Sequence, residues 1–485
     1  MRSATRPPGA VSTLFTVRAV QAAPERDQSR LGARTPTLHM SVCRLVVVLL
    51  ICVAARATAH ASGLSHEHAH APKVSATGPP RGHPARPGRS LPALPTRHRF
   101  NWLNPTTWPW LPVPLTAVSP NSGTTIGVIP TRLVTNARGQ IIEIIAPDIE
   151  HSPYFGWGAH ARILAFPSAD THWSIVAGGQ QHVESVFDAL YQTGLLRTRT
   201  MSFSIDGSYD RNGTSRFYGV SNDSQQANQS VYTRQQFGVT ATLGWNITRA
   251  WQLADTLAVK KLNITAGHLP AIPSTTKRFA DAVGFGASHF ILDRVALIYD
   301  TRNNITMPTR GMKIVLYGGV TSGRIERRGW DLTEAGGDDR FYWSPNHSLT
   351  IAAHLDLRYE PSAAHIPFWA LSSIGGDQSV IGGSQILRGY ATSRFYGRNA
   401  FVANLELRQN ILYFNALSTH LILQIAPFFD TGRVFRDSGA WPIAHLHNVV
   451  GVGFRGMAPP FVVGYVDVGK GSEGIAVFTG IHYPF

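Results

Sequence analysis

Through much of the chain beyond about residue 200, apolar and polar residues alternate with a period of two. Phe237, Val239, Ala241, Leu243 and Trp245 interleave with Gly238, Thr240, Thr242, Gly244 and Asn246. Met201, Phe203, Ile205 and Tyr209 interleave with Ser202, Ser204, Asp206 and Ser208, and Leu349 to Tyr359 with His354, Asp356, Arg358 and Glu360. This period places every second side chain on one face of a strand, and here the charges keep to one face only. The alternation runs for about 9–12 residues, the length of a tilted strand that crosses a bilayer. A soluble sandwich has shorter strands, so the pattern predicts an all-β fold, a transmembrane antiparallel β-barrel. Between about Pro153 and Phe485 the sequence holds roughly 15 such segments, with turns expected at Asp210-Arg211-Asn212-Gly213 and Gly469–Gly474. Single-chain barrels use even numbers, which gives about 16 strands. The remaining strand is either Gln140–Ile145 or lies within Val183–Leu196.

Composition fits this reading. The 485 residues are 43% hydrophobic and only 15% charged, with 45 Gly, which excludes a disordered chain. No apolar run reaches the ~20 residues of a spanning helix. The one compact run, Leu45–Ala55 (LVVVLLICVAA), follows Arg44 and precedes Ala59-His60-Ala61. These are the charged, apolar and A-x-A parts of a signal peptide, with cleavage expected between Ala61 and Ser62 and a start at Met40. Leu49-Leu50-Ile51-Cys52 loosely matches a lipoprotein site, but Ile51 is large for one. Both cysteines, Cys43 and Cys52, fall in this leader, so no disulfide or cysteine metal site is expected. The 8 arginines and 2 acids of residues 1–61 account for +6 of the +15 net charge, leaving +9. For an exported chain, basic charge points to lipopolysaccharide or an acidic milieu and not to nucleic acid; compositional bias alone explains it equally well. Residues 62–119, with 11 Pro and 5 His, sustain no pattern and read as a disordered linker before a barrel over 120–485. Within the linker, the aromatic run Phe100–Leu115 reads either as a docking segment or as an extended tail.

Several motifs together resemble one known family, the BamA/TamA-type outer-membrane surface-antigen superfamily, best over about 300–485. Asp300-Thr301-Arg302 followed by Pro308-Thr309-Arg310-Gly311 is similar to its strand-turn-strand motif. Gly382-Gly383, Leu387-Arg388-Gly389-Tyr390 and Gly397-Arg398-Asn399 resemble its inward loop, Phe401–Arg408 the strand after it, and Phe428-Phe429-Asp430-Thr431-Gly432 the strand beyond. Phe217–Ser224 (FYGVSNDS) matches a family loop more loosely. The C-terminal Gly480, Tyr483 and Phe485 sit at the offsets of the outer-membrane targeting signal, with Phe478 in place of its usual polar residue and Phe485 expected to close the last strand.

The resemblance implies that the L-R-G-Y loop folds into the lumen, with Arg388 held by Glu406 and Asp430. Strand parity independently aims both acids inward, and a buried guanidinium requires such partners. Gly389 would permit close approach to the wall, with Tyr390 packed beside it. The trio serves equally well as a stability clamp without a transport role. The implied function is insertion or export of outer-membrane proteins, with unfolded barrel proteins as clients and outer-membrane lipid and lipopolysaccharide as surroundings. A small-solute channel or a structural surface antigen is the alternative. Family members with insertase activity carry POTRA domains ahead of the barrel, where 58 Pro-rich residues stand here.

No cofactor and no enzyme activity are expected. His66-Glu67-His68-Ala69-His70 matches H-E-x-x-H, but Gly63 and Pro72 bracket it and that zinc chemistry requires a helix. His66, His68 and His70 are at most weak metal ligands. Gly451–Gly456 matches G-x-G-x-x-G, yet Pro459-Pro460 stands where a phosphate-binding helix would begin, so the segment reads as a strand rich in small residues.

Overall fold

The computed structural model describes residues 110–485, apart from 122, 136–140, 169, 183, 417–418, 438–440, 459–460 and 481–482. The expected leader, most of the linker and the His66–His70 tract lie outside the described residues. No described helix is long and apolar enough to cross a membrane.

The described chain is dominated by one 19-stranded antiparallel sheet in which almost every strand pairs with the next of its strands in sequence. Its first part comprises β1 (Leu111–Ser119), β2 (Gly123–Thr135), β3 (Ile141–Ile145), β4 (Asp148–Ser152), β5 (Gly156–Ser168), β6 (Thr171–Gln180) and β7 (Glu184–Thr193). The long strands follow: β8 (Met201–Phe217), β9 (Ser230–Asn246), β10 (Trp251–Ala266), β11 (Gly286–Asp300), β12 (Gly311–Ile325), β13 (Arg328–Trp343) and β14 (Leu349–Ala364). An excursion then forms a separate small sheet from β15 (Ser372–Ile374), β16 (Ser384–Gln385) and β17 (Phe395–Gly397). The large sheet resumes with β18 (Asn399–Ala416), β19 (Thr419–Phe435), β20 (His447–Ala458), β21 (Phe461–Gly471) and β22 (Gly474–Gly480).

Alternation sorts the two faces. Phe237, Leu243 and Trp245 are about half exposed on β9, whereas Thr240 and Gln236 are buried. The same inversion recurs on β14, where Leu355 is exposed and His354, Asp356 and Arg358 are buried. An apolar outer face and a polar, buried inner face invert the soluble arrangement. The inner face curls around the excursion Ser372–Gly397, which contacts strands from both halves of the order: Asn121 after β1 bonds Thr392, and Tyr465 of β21 bonds Asp377.

Three expectations need correction. The strand number exceeds 16: β3 and β4 both lie between β2 and β5, so the 19 strands fill 18 positions. Pro147, which has no N–H to donate, stands at the break between β3 and β4. Both candidate segments for the remaining strand are strands, as β3 and β7. The linker boundary at 119 falls too late, because Leu111–Ser119 is β1 despite Pro112 and Pro114. Proline is tolerated there because β1 is the sheet edge and needs donors on one side only. Asp210–Gly213 is no turn either: β8 runs through it with a bulge between Asn212 and Ser215, anchored by Asn212 Oδ1 accepting from the Thr214 N–H. The second predicted turn is present, with Gly471 paired to Gly474.

The C-terminus also departs from expectation. β22 ends at Gly480, and Phe485 does not extend it but turns into the interior, stacking on His354 at 5.3 Å. Pro484 cannot donate to a ladder, and the Arg408 guanidinium donates to the Phe485 carbonyl (3.1 Å). Tyr483 lies under the same guanidinium at 3.9 Å. Phe478 faces inward with Tyr465 and Ala476, an apolar filling at the position where the family signal is polar.

The β11–β12 connection is built as its motif suggests. Asp300 Oδ2 pairs with Arg302 Nη2 (2.8 Å), and Pro308 lies in the turn between. Gly311 has φ +93°, and a Cβ there would meet the Thr301 carbonyl at 2.3 Å. Gly311→Val is therefore expected to lower unfolding stability by about 1–3 kcal/mol, measured as a lower urea midpoint; an unchanged midpoint would show that this turn can relax freely.

Candidate interior arginine clamp

The excursion is pinned to the wall at three points. Arg388, fully buried, donates Nη2 and Nε to the two oxygens of Asp430 (2.7 and 2.8 Å), a bidentate pair. Its Nη1 bonds Glu406, and also Asp467 at 2.9 Å. The guanidinium carbon lies over the Phe428 ring, 3.6 Å from its centre. Asp430 further accepts the Arg388 backbone N–H, which fixes main chain and side chain together. Glu406 in turn pairs with Arg408 (2.7 Å) and Arg455 (2.8 Å), and Arg455 also reaches Asp467 (3.2 Å). Three guanidiniums thus interlock with three carboxylates, all essentially out of contact with water.

Sequence parity had aimed Glu406 and Asp430 inward, and both meet Arg388. It had put Arg408 on the same face as Glu406 without giving it a partner, and had not singled out Asp467 or Arg455. A signal for these two was present: Asp467 is the one acid of β21 and Arg455 the one arginine of β20, both among mostly apolar residues and glycines. The Gly451–Gly456 run is part of strand β20, and its glycine spacing makes room for charge. A Cβ on Gly453 would stand 2.2 Å from Asp467 Oδ1 and 2.5 Å from Arg455 Nη1.

Gly389 and Tyr390 complete the seat. A Cβ on Gly389 would meet the Gly471 nitrogen at 2.6 Å, and one on Gly469 would meet the Arg388 carbonyl at 2.4 Å. Backbone therefore lies on backbone, as only glycine allows. Tyr390 reaches Ser472 in the β21–β22 turn (2.9 Å) and packs edge-on against Phe395.

Two more arginines fasten the excursion on either side of Arg388 in sequence. Arg294 on β11 bonds Glu334 (2.6 Å) and the Ile381 carbonyl (3.1 Å), while Arg358 grips the other Glu334 oxygen. At the far end Arg394, fully buried, forks onto Glu473 in the β21–β22 turn (2.5 and 3.0 Å) and onto Ser224. Ser224 closes the segment Phe217–Ser224, whose Tyr218 ring lies under Arg394. Four elements remote in sequence thus meet around the excursion.

Residues 184–457 match the Omp85 superfamily domain. The chain belongs to the Omp85 superfamily. This is the BamA-type group that the motifs resemble. Solved structures with a similar chain path include BamA from Haemophilus ducreyi lacking POTRA domains 1–3, with TM-score 0.47 and 15% identity over 73% of this chain and 75% of that one. They also include CdiB from Escherichia coli (TM-score 0.40, 10% identity, 77% of this chain and 62% of that one) and CdiB from Acinetobacter baumannii (0.39, 11%, 77% and 66%). No curated protein matches the chain.

Removing Arg388 would leave the buried Asp430 without its cation, while Glu406 and Asp467 keep Arg455. In this Omp85 protein Arg388→Ala is expected to cost about 3–5 kcal/mol of unfolding stability, read from urea denaturation followed by the gel mobility of unheated samples. A loss below about 1 kcal/mol would mean that water reaches the clamp.

Proposed function

We propose that this protein is an outer-membrane β-barrel, exported by a cleaved signal peptide, that assists the insertion or export of other outer-membrane proteins along the edge between β1 and β22. The carrying observation is how these two edges meet. Inside the sheet, neighbours share long ladders: β10 and β11 register continuously from Trp251↔Tyr299 to Ile264↔Gly286. Between β1 and β22, which lie side by side, the one hydrogen bond among the described residues runs from the Val118 N–H to Thr479 Oγ1 at 2.8 Å. One such bond contributes about 0.5–1.5 kcal/mol net, far less than a full ladder, so this is the place where the wall opens at least cost. An exposed strand edge is a template for an incoming strand.

The outward apolar side chains support a lipid-facing wall, and family membership supports the role in kind. The arginine clamp holds the excursion against β18, β19 and the β21–β22 hairpin and so keeps the last strands aligned beside that edge. Outer-membrane lipid and lipopolysaccharide are the proposed surroundings, and unfolded barrel proteins the proposed clients. One observation favours the second reading, a small-solute channel. A cavity of about 1040 Å³ lies beside the excursion, lined by Arg216 and by Arg234, Arg340 and Arg455, which are paired with Asp210, Asp338 and Glu406, so its wall is polar enough for a small solute.

A disulfide across the edge separates the readings. With Cys43 and Cys52 changed to serine, the full chain carrying Val118→Cys and Thr479→Cys is reconstituted in liposomes with an unfolded small barrel protein. The reduced form is expected to accelerate client folding and the oxidised form to lose that acceleration. Acceleration unaffected by oxidation would exclude the edge, and solute leakage without any acceleration would favour the channel.

A further inference from the structure

A second cluster of interior charges lies at the other end of the sheet, where β4, β5 and β7 carry their side chains toward one point. Asp148 Oδ1 is 2.9 Å and Glu150 Oε1 3.8 Å from His160 Nδ1, while Glu184 Oε2 stands 3.5 Å from His160 Nε2. The candidate ligand atoms of Asp148, Glu150 and His160 all lie within 4.8 Å of one another, and all four side chains are buried. Ligands on one ion at about 2.0–2.1 Å stand about 3.3 Å apart when tetrahedral, and the two Nδ1 separations bracket that value. Glycine keeps the space open: a Cβ on Gly178 would meet the Ala159 carbonyl at 2.4 Å and His160 Cδ2 at 2.5 Å.

With a neutral His160 the hydrogen bonding of this cluster does not close by itself. If the His160 proton sits on Nδ1, facing Asp148, then Nε2 presents a lone pair to Glu184. The buried Glu184 Oε2 indeed accepts no hydrogen bond. With that neutral ring and ionised acids the charges do not balance either, since three carboxylates face one guanidinium, Arg162, which is bonded to Asp148. Six interlocked groups at the Arg388 clamp are neutral, whereas here two negative charges are left over in a buried place.

We propose that Asp148, Glu150 and His160 Nδ1 bind a divalent cation of the zinc type. The ion supplies the two missing charges and occupies the Nδ1 lone pair. The proton then moves to Nε2, where it gives Glu184 its donor, the carboxylate–histidine–metal relay that fixes ring orientation. Arg162 on Asp148 and Gln180 on Glu150 hold the carboxylates from behind. An imidazole ligand favours zinc-like ions over magnesium or calcium, which take oxygen alone. Bound there, the ion ties β4, which lies against β2 and so close to the open edge, to β5 and through His160 to β7.

The test is metal binding by the refolded full chain in detergent, with His66, His68 and His70 changed to alanine to remove a competing tract. After chelator treatment, Co2+ is titrated with visible absorption as readout and then displaced by Zn2+. One bound equivalent is expected, weakened at least tenfold by Glu150→Gln and by about 10–100-fold by Glu184→Gln. No bound equivalent in the parent chain would overturn the proposal and assign the cluster to a doubly protonated imidazolium. Binding that survives both His160→Gln and Glu150→Gln would overturn it by placing the metal elsewhere.

Discussion

The buried guanidinium of Arg388 is the constraint around which the interior is arranged. A charge taken out of water persists only when paired and fully hydrogen-bonded, and Arg388 meets that demand with partners from three strands, β18, β19 and β21. Those partners are buried in turn and need cations of their own, which Arg408 and Arg455 supply. The outcome is a neutral lattice that closes only when the excursion is seated and β18 to β21 hold their register. A slip by one residue would turn every one of these side chains toward the outer face. The lattice therefore specifies register as well as position.

The clamp also reaches the end of the chain. Arg408, held by Glu406, carries the Phe485 carbonyl and lies over Tyr483. Arg394 and Tyr390 hold the turn between β21 and β22. The last hairpin is thus fastened from the interior, at its turn and at its tail, while its outer edge meets β1 lightly.

Much of this was legible in the sequence because two signals there are strictly physical. Alternation reported the long strands β8, β9 and β14, and it gave the inward parity of Glu406 and Asp430. It failed where local chemistry overrides it. Prolines concealed β1 because their tolerance at an edge depends on the sheet that surrounds them. Asn212-Gly213 has turn composition, yet cross-strand pairing with β7 and β9 draws it into a bulge. Arg394 and Glu473 lie 79 residues apart, and no local pattern announces their meeting. Phe485 looked like the end of a strand, but an interior guanidinium competes for its carbonyl.

The central claim is that Arg388 and its carboxylates act as one interlocked unit, and a double-mutant cycle tests it most directly. Unfolding stability is measured for Arg388→Ala, Asp430→Ala and the double variant in one detergent. The account predicts strong non-additivity, the double variant costing less than the sum of the singles by about 2 kcal/mol or more. Additivity to within about 0.5 kcal/mol would contradict it, since the two groups would then be held independently of one another.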